Sequence, residues 1–303
     1  SPEQFNVTSY AATAVATVTF EAFAGMWINA FIVSVICSWV KRKTLNSNEK
    51  ILLFLGCARF CFLCISWVYS FLSIIYPHFL YVHPTLPLLT SIQSFLNYSN
   101  IWVSAFLCVF YCIKIANFRN SFFIYLKVKI DRMVPWLLLG SVFSSLVIGI
   151  IVYNVTDKAL CENLNFTCQG RIWKASIRIE EYFFPIYFIS GFGFATSFMT
   201  VTFSALLLLF SLWRHKHNMQ TNSMKDLSMD AHIKAMKSII SFFVMYSFNF
   251  VFLILSLIYS ISGQNHMMFL FSVFLYAFPG FHSIILIFSN PKLKKTLLSI
   301  VPC

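Results

Sequence analysis

A few charged and polar side chains interrupt a chain that is otherwise strongly apolar, and they restrict its chemistry. Arg59 lies in the middle of an apolar segment, and Glu21 lies inside the apolar segment before it. An arginine in such surroundings is costly unless it is paired and hydrogen-bonded. We therefore predict a polar cluster of Glu21, Asn29 and Arg59, which either fixes helix packing or takes part in a conformational switch. The two roles are compatible.

The sequence contains no arrangement of residues that is suited to catalysis or metal binding. His215 and His217 are two positions apart, on different faces of any helix that holds them. The chain has no zinc-binding histidine motif, no pair of intramembrane aspartates and no nucleophile beside a base. We therefore expect neither an enzyme nor a metal or cofactor site.

Composition indicates that these residues lie in a membrane protein. Of 303 residues, 59% are hydrophobic and only 11% are charged, whereas soluble domains carry about 25% charged residues. A net charge of +12 would suggest nucleic-acid binding in a soluble chain. Here the charges flank apolar segments, so we expect membrane lipid rather than nucleic acid as their partner. The sequence shows no signal peptide, and the first helix is expected to direct insertion.

Seven segments are long and apolar enough to cross the hydrocarbon core, which needs about 20 helical residues. We predict an all-α membrane protein that forms a single seven-helix domain over residues 1–303. Its helices are placed at approximately 10–40, 51–76, 88–118, 133–154, 182–212, 236–262 and 266–289. A short amphipathic helix at 291–300, with leucines opposite lysines, is expected to lie on the membrane surface.

Lysine and arginine concentrate after the first, third and fifth predicted helices and in the tail, which predicts an extracellular N-terminus and a cytosolic C-terminus. Asn97 begins a sequon inside a helix and should be unmodified. Cys161 and Cys168 share the predicted outer loop and are candidates for a local disulfide. This arrangement is the general plan of a G-protein-coupled receptor. The sequons that fall on the predicted outer side are those at Asn6, Asn154 and Asn165.

The most specific motif is 110–118, Phe-Tyr-Cys-Ile-Lys-Ile-Ala-Asn-Phe, which resembles the third-helix signature of the type 2 (bitter) taste receptors. The rhodopsin-like signatures at the ends of the third and seventh helices are missing. The resemblance covers most of the chain and implies a seven-helix receptor. The further matches occur in family order at Glu21, 29–32, 55–59, Asn97, Trp102, 107–109, 123–127, Pro135, Trp136, 206–215, 231–235, 279–283 and 290–294.

The chain also departs from the family pattern. Gln93 stands where many members have tryptophan, and Ser197 replaces a proline of the fifth helix. We therefore expect a divergent member. A pheromone-type (vomeronasal type 1) receptor is the nearest alternative, but the third- and seventh-helix motifs disfavour it. A small transporter is a weaker alternative, because Glu21 is the only carboxylate deep in a predicted span.

The resemblance implies a receptor that binds a small bitter agonist between its helices on the extracellular side. Gln93 and Asn97 are one turn apart on a single helix face, so both can point inward. Glu181 lies at the outer mouth, where it could attract a cation. A polar residue in a membrane helix is more often an interhelical hydrogen bond than a ligand contact. The full set of candidate contacts is Gln93, Asn97, Tyr246, Asn249, Ser272, Tyr276 and Glu181.

The resemblance also implies a heterotrimeric G protein, of the gustducin or inhibitory type, at the cytosolic ends of the helices. Many basic residues there are equally explained by anchoring to anionic lipid. Tyr111, His282 and Ser283 are candidates for the switch, and His282 is alternatively a hydrogen-bonded core histidine. The candidate coupling residues are Lys114, Arg214, His215, His232, Lys234 and Lys237.

Overall fold

The computed structural model describes the backbone of residues 2–40, 44–116, 118, 120–166, 172–221, 226–261 and 265–300. Within these ranges, side chains are described except at 2–10, 161–166, 172–187, 215–216, 218–221, 226–238, 260–261 and 265–269. The regular structure in the described ranges is helical. In chain order the helices are α1 (Pro2–Val40), α2 (Ser47–Ile75), α3 (Pro77–Leu80), α4 (Thr85–Ile115), α5 (Ser121–Phe166), α6 (Ile172–Thr221), α7 (Asp226–Ile261), α8 (Asn265–Ser289) and α9 (Pro291–Ile300).

Seven of the helices in the described ranges are long and apolar enough to cross a membrane, which confirms the predicted seven-helix fold. Two others, α3 and α9, are too short to do so. The candidate spans are Ala11–Val40, Ser47–Ile75, Thr85–Ile115, Ser121–Leu160, Phe188–Arg214, Ile239–Tyr259 and Leu270–Ser289.

Several helices extend beyond their predicted boundaries, because hydropathy detects only the apolar part of a helix. The fourth helix, predicted at 133–154, begins at Ser121, so residues 123–127, which lie outside the predicted helices, are helical. Asn120 caps this start, since its Oδ1 accepts the Phe122 amide N–H at 3.0 Å. The helices predicted at 182–212 and 236–262 become Ile172–Thr221 and Asp226–Ile261.

The third spanning helix ends earlier than predicted. It was placed at 88–118, but the backbone turns extended at Ala116, with φ −63° and ψ 141°, so Ile115 is its last residue. The motif at 110–118 therefore combines the last turns of α4 with the start of a connection. We call the end of the bundle that holds Ile115, Ser121 and α9 the C-terminal face, and the opposite end, with Ile75 and Thr85, the N-terminal face.

The central helix is α4, which packs against α2, α5 and α6. Its apolar window is 67% buried, more than that of any other described span, whereas the windows of α5 and α7 are 22% and 17% buried. The remaining contacts close the bundle, with α1 against α2 and α8, and α7 against α6 and α8. Polar side chains on α4 therefore face protein, while most of α5 and α7 faces outward.

At the C-terminal face, α9 is fixed to α2 through a buried carboxylate. Glu49 is 2% exposed, and it accepts the Asn46 amide N–H at 3.1 Å in a capping box at the start of α2. Lys292 Nζ donates to Glu49 Oε1 at 3.1 Å and lies 5.6 Å from the centre of the Trp39 ring. Leu293 is wholly buried. The amphipathic helix thus packs on the ends of α1 and α2, in agreement with the predicted 291–300.

Candidate functional site

Arg59 is the centre of a buried polar network that joins four helices. Its Nη1 donates to Ser283 Oγ of α8 at 2.9 Å, and its Nη2 donates to Ser104 Oγ of α4 at 3.0 Å. The same Nη2 contacts Nδ1 of His282. Ser283 in turn donates to Asn29 Oδ1 of α1 at 2.8 Å. We call these five residues the Arg59 network. Each is at most 1% exposed, so bulk water does not reach these groups and the protein itself must supply their hydrogen bonds.

Small residues let the backbones approach closely around the Arg59 network. A Cβ atom on Gly56 would lie 3.0 Å from Val33, and one on Gly280 would lie 3.4 Å from the Cα of Gly25. Asn29 is held in place because its Nδ2 donates to the Gly25 carbonyl at 2.8 Å. The sequence thus places glycines where α1 must lie close to α2 and α8 for short polar side chains to meet.

Glu21, predicted as the countercharge of Arg59, is not among the hydrogen-bond or ion-pair partners of Arg59 in the structure, so that predicted pairing is wrong. Glu21 precedes Asn29 by eight residues, which is about 12 Å along a helix. It lies near Tyr276 instead, and its Oε2 is buried without a hydrogen-bond partner among the described residues. The charge of Glu21 made it the obvious partner in the sequence, but its depth in the bundle differs from that of Arg59.

A second polar cluster lies nearer the N-terminal face and includes two of the predicted ligand contacts. Gln93 Nε2 donates to Ser66 Oγ at 3.2 Å, and the hydroxyls of Tyr276 and Ser70 are 3.1 Å apart. Tyr276 also interacts with Gln93 and Ser66. We call Gln93, Tyr276, Ser66 and Ser70 the upper cluster. The two serines were not predicted, although they follow Arg59 by 7 and 11 residues and so share its helix face.

The other predicted ligand contacts differ in accessibility. Asn97, one turn after Gln93, is half-buried, as is Ser272. Asn249 is buried, and Tyr246 is 2% exposed. Tyr246 donates to the Ile101 carbonyl at 3.2 Å and lies 2.9 Å from Ser197 Oγ, so it joins α7 to α4 and α6. Tyr246 therefore packs in the core.

Ser104 and Ser197 were not predicted as functional residues, although a signal for each exists in the sequence. Ser104 follows Asn97 by seven residues, which places both on one face of α4. Ser197 was recognised only as a substitution for a family proline. Their hydrogen bonds to Arg59 and Tyr246 depend on which helices are neighbours, and the sequence pattern does not contain that information.

At the C-terminal face, Tyr111 donates to Asn48 Oδ1 at 3.2 Å, which joins α4 to α2. Lys114, predicted to contact a partner, forms an ion pair with Asp131 of α5 at 2.5 Å. Arg214 is exposed. A cavity of about 410 Å³, counted with the space open to solvent, lies between α4, α6, α7 and α8. Its lining residues are Leu107, Cys108, Tyr111, Leu208, Ile239, Phe242, Ile285, Leu286 and Ser289.

Several predicted residues lie outside the described side chains. Cys168 lies outside the described backbone as well, whereas Asn154 is described and is exposed within α5, twelve residues before the last residue of that helix. Among the side chains that are described, no group of three His, Cys, Asp or Glu residues could hold a metal ion. The predicted residues without a described side chain are Asn6, Cys161, Asn165, Cys168, Glu181, His215, His232, Lys234 and Lys237.

Seven apolar helices around a buried polar network form the architecture that G-protein-coupled receptors have. The model of the family described as taste receptor protein (TAS2R) matches residues 7–303. Similar proteins include taste receptor type 2 member 41 of Rattus norvegicus, 33% identical with 90% of each chain covered, and taste receptor type 2 member 2 of Homo sapiens, 30% identical with 93% of each covered. Taste receptor type 2 member 40 of Gallus gallus is 33% identical, with 93% of this chain and 92% of that protein covered.

The chain belongs to the type 2 (bitter) taste receptor family. The proteins of this family that it resembles are named as receptors and not as enzymes, which agrees with the expectation from the sequence.

We predict that Ser283→Ala destabilises the receptor by about 1–3 kcal/mol, because it removes both the acceptor of Arg59 and the donor to Asn29 inside the bundle. Thermal unfolding of the purified protein, followed by tryptophan fluorescence, measures the change. Ser256→Ala is the matched control, since that hydroxyl bonds only to its own helix, at the Leu253 carbonyl. Equal unfolding midpoints for the two variants would contradict the prediction.

Proposed function

We propose that this receptor binds small bitter compounds in the N-terminal half of its bundle and activates a gustducin- or inhibitory-type G protein at the C-terminal face. Family membership supports the receptor class. The observation that carries the finer proposal is the cavity at the C-terminal face, which lies between α4, α6, α7 and α8. The upper cluster lies toward the other end, with the Arg59 network between the two. Ligand and G protein would therefore act at opposite ends of α4 and α8, the two helices that contribute to both the upper cluster and the cavity.

The proposed orientation places the N-terminal face outside the cell and the C-terminal face in the cytosol. The distribution of lysine and arginine supports it, because basic segments follow the first, third and fifth spanning helices. The sequons at Asn6, Asn154 and Asn165 then face the compartment in which glycans are added. The same orientation makes a local disulfide between Cys161 and Cys168 chemically reasonable.

The proposed agonist site is lined by Gln93, Asn97, Ser272 and Tyr276, with Asn249 deeper and Glu181 at its mouth. Gln93 and Tyr276 are joined by the serines of the upper cluster, so an agonist that hydrogen-bonds them replaces existing bonds. Asn97 is half-buried on the same face of α4. Tyr246 would act from below the pocket by holding α4, α6 and α7 together, rather than by direct contact.

The proposed coupling surface is the rim of the cavity at the C-terminal face. Arg214 is exposed at the end of the α6 span, whereas Lys114 is engaged by Asp131. We therefore assign a direct contact to Arg214 and a supporting role to Lys114. His215, His232, Lys234 and Lys237 are assigned to the same rim from sequence position. Activation requires the agonist to favour the state in which the G protein fits the cavity.

Asn97→Ala is expected to raise the agonist concentration for half-maximal response by about tenfold, which corresponds to about 1.4 kcal/mol, for agonists that bind its amide. Calcium responses in cells with a promiscuous G protein, screened with a bitter-compound panel, provide the measurement. Thr200→Ala is the control, because the Thr200 hydroxyl bonds only to the Thr196 carbonyl of its own helix. Unchanged responses to every agonist at normal surface expression would exclude Asn97 from the site.

Arg214→Glu is expected to reduce maximal G-protein activation at least severalfold without changing agonist binding, because it reverses an exposed charge at the end of the α6 span on the C-terminal face. Nucleotide exchange on an inhibitory-type G protein, with purified receptor in lipid discs, measures this. Lys295→Glu on α9 makes the same charge change on the tail and serves as the control. If both variants activate like wild type, Arg214 is a lipid anchor only.

Asn6→Gln, Asn154→Gln and Asn165→Gln are each expected to remove one glycan when the receptor is expressed in mammalian cells. Gel mobility before and after glycosidase treatment reports each loss. Asn97→Gln is the internal control, since Asn97 is half-buried near the middle of the Thr85–Ile115 span and should carry no glycan. The absence of a mobility change for all three variants of the wild-type sequons would contradict the proposed orientation.

A further inference from the structure

We propose that the Arg59 network, together with Asn100, binds a small monovalent anion such as chloride inside the bundle. The first reason is an uncompensated charge. Arg59 is 1% exposed, and its hydrogen-bond partners among the described residues, Ser283, Ser104 and His282, are neutral or act as neutral acceptors. A guanidinium keeps its charge in proteins, so hydrogen bonds alone leave a net positive charge in the apolar interior.

The acidic side chains that the structure describes do not supply the missing charge. Three of the four contact basic side chains elsewhere, and the fourth, Glu21, lies two helical turns from the level of Asn29, near Tyr276. The three pairs are Glu49 with Lys292 at 3.1 Å, Asp131 with Lys114 at 2.5 Å and Asp157 with His83 at 2.7 Å.

The second reason is a set of buried N–H donors without partners, two within the Arg59 network and one a helical turn from it on α4. The Nε of Arg59 has no hydrogen-bond partner among the described residues. Because Arg59 donates toward Nδ1 of His282, the ring proton must lie on Nε2, which is also buried and unpartnered. Asn100 is 7% exposed, lies one turn before Ser104 on the same face of α4, and has neither amide atom paired. Unpaired N–H groups next to a buried cation are the donors that bind an anion through charge-assisted hydrogen bonds.

The surroundings limit the anion to a small, singly charged one. Aromatic rings close the network on the side of α7 and α8, with the Phe242 and Phe278 centroids 4.6 Å and 5.5 Å from the His282 ring. A single guanidinium offers one positive charge. Chloride fits both limits, whereas sulfate carries two charges and gluconate is too large to enter a site without solvent exposure.

The test is thermal unfolding of the full-length receptor in lipid discs, followed by tryptophan fluorescence. Sodium chloride is titrated against sodium gluconate at constant ionic strength, so that screening stays the same. We expect chloride to raise the unfolding midpoint by a few degrees along a saturable curve, as a ligand of the folded state does. Bromide should act similarly, and sulfate should not.

Two variants locate the effect. Asn100→Leu removes one donor but leaves Arg59 in place, and it is expected to raise the half-saturating chloride concentration at least tenfold. Arg59→Gln is expected to abolish the chloride dependence, provided that it folds. Ser141→Ala is the control, since it also removes a buried polar group without a partner, the Ser141 hydroxyl on α5. The proposal is overturned if chloride and gluconate give the same wild-type curve, or if Asn100→Leu keeps the wild-type chloride dependence.

Discussion

The guanidinium of Arg59, held in the apolar middle of the bundle, is the constraint on which the other contacts depend. A charged side chain at the centre of a membrane helix costs about 2.5–3.5 kcal/mol on insertion scales. A hydrogen bond to a charged group contributes about 1.5–3 kcal/mol. The bonds to Ser283 and Ser104 therefore roughly offset the cost, but only if α2, α4 and α8 are in place together. This makes the network a condition for assembly of the bundle.

The helices on the other side of the bundle are attached differently. Tyr246 of α7 reaches α4 and α6 through hydrogen bonds of 3.2 Å and 2.9 Å. The described contact of α7 with His282 is instead an aromatic one, through Phe242. Displacing α7 from His282 therefore costs dispersion contacts rather than a charge-assisted hydrogen bond. Charged hydrogen bonds thus join α2 to α4 and α8 around Arg59, whereas α6 and α7, which line the cavity, are joined by neutral hydrogen bonds and aromatic contacts.

Much of the fold was predictable because the length and apolarity that a membrane-spanning helix needs are properties of the local sequence. Seven apolar stretches specify seven helices wherever their neighbours lie. Arg59 could be identified for the same reason, since a lone charge in an apolar run requires partners. Which partners it has could not be predicted. Glu21 has the correct charge but lies about two turns before the level of Asn29 in α1, while Ser104 has no charge and lies at the correct depth. Helix faces follow from spacing in the sequence, but depth depends on how neighbouring helices are offset along their axes.

That offset also explains how the two ends of the receptor are connected. On α2, Ser70, Ser66 and Arg59 lie on one face, and the last two are separated by seven residues, or about 10 Å. Ser66 and Ser70 bond Gln93 and Tyr276, and Arg59 bonds Ser104 and Ser283. On α4, Ser104 of the Arg59 network thus lies three turns deeper than Gln93 of the upper cluster. On α8, Ser283 lies two turns deeper than Tyr276. A group that binds Gln93 or Tyr276 competes with serines on the helix that carries Arg59. Any resulting shift of α2 then changes the geometry of the hydrogen bonds that Arg59 donates. Because their donor is charged, these bonds are the strongest interhelical contacts at that depth.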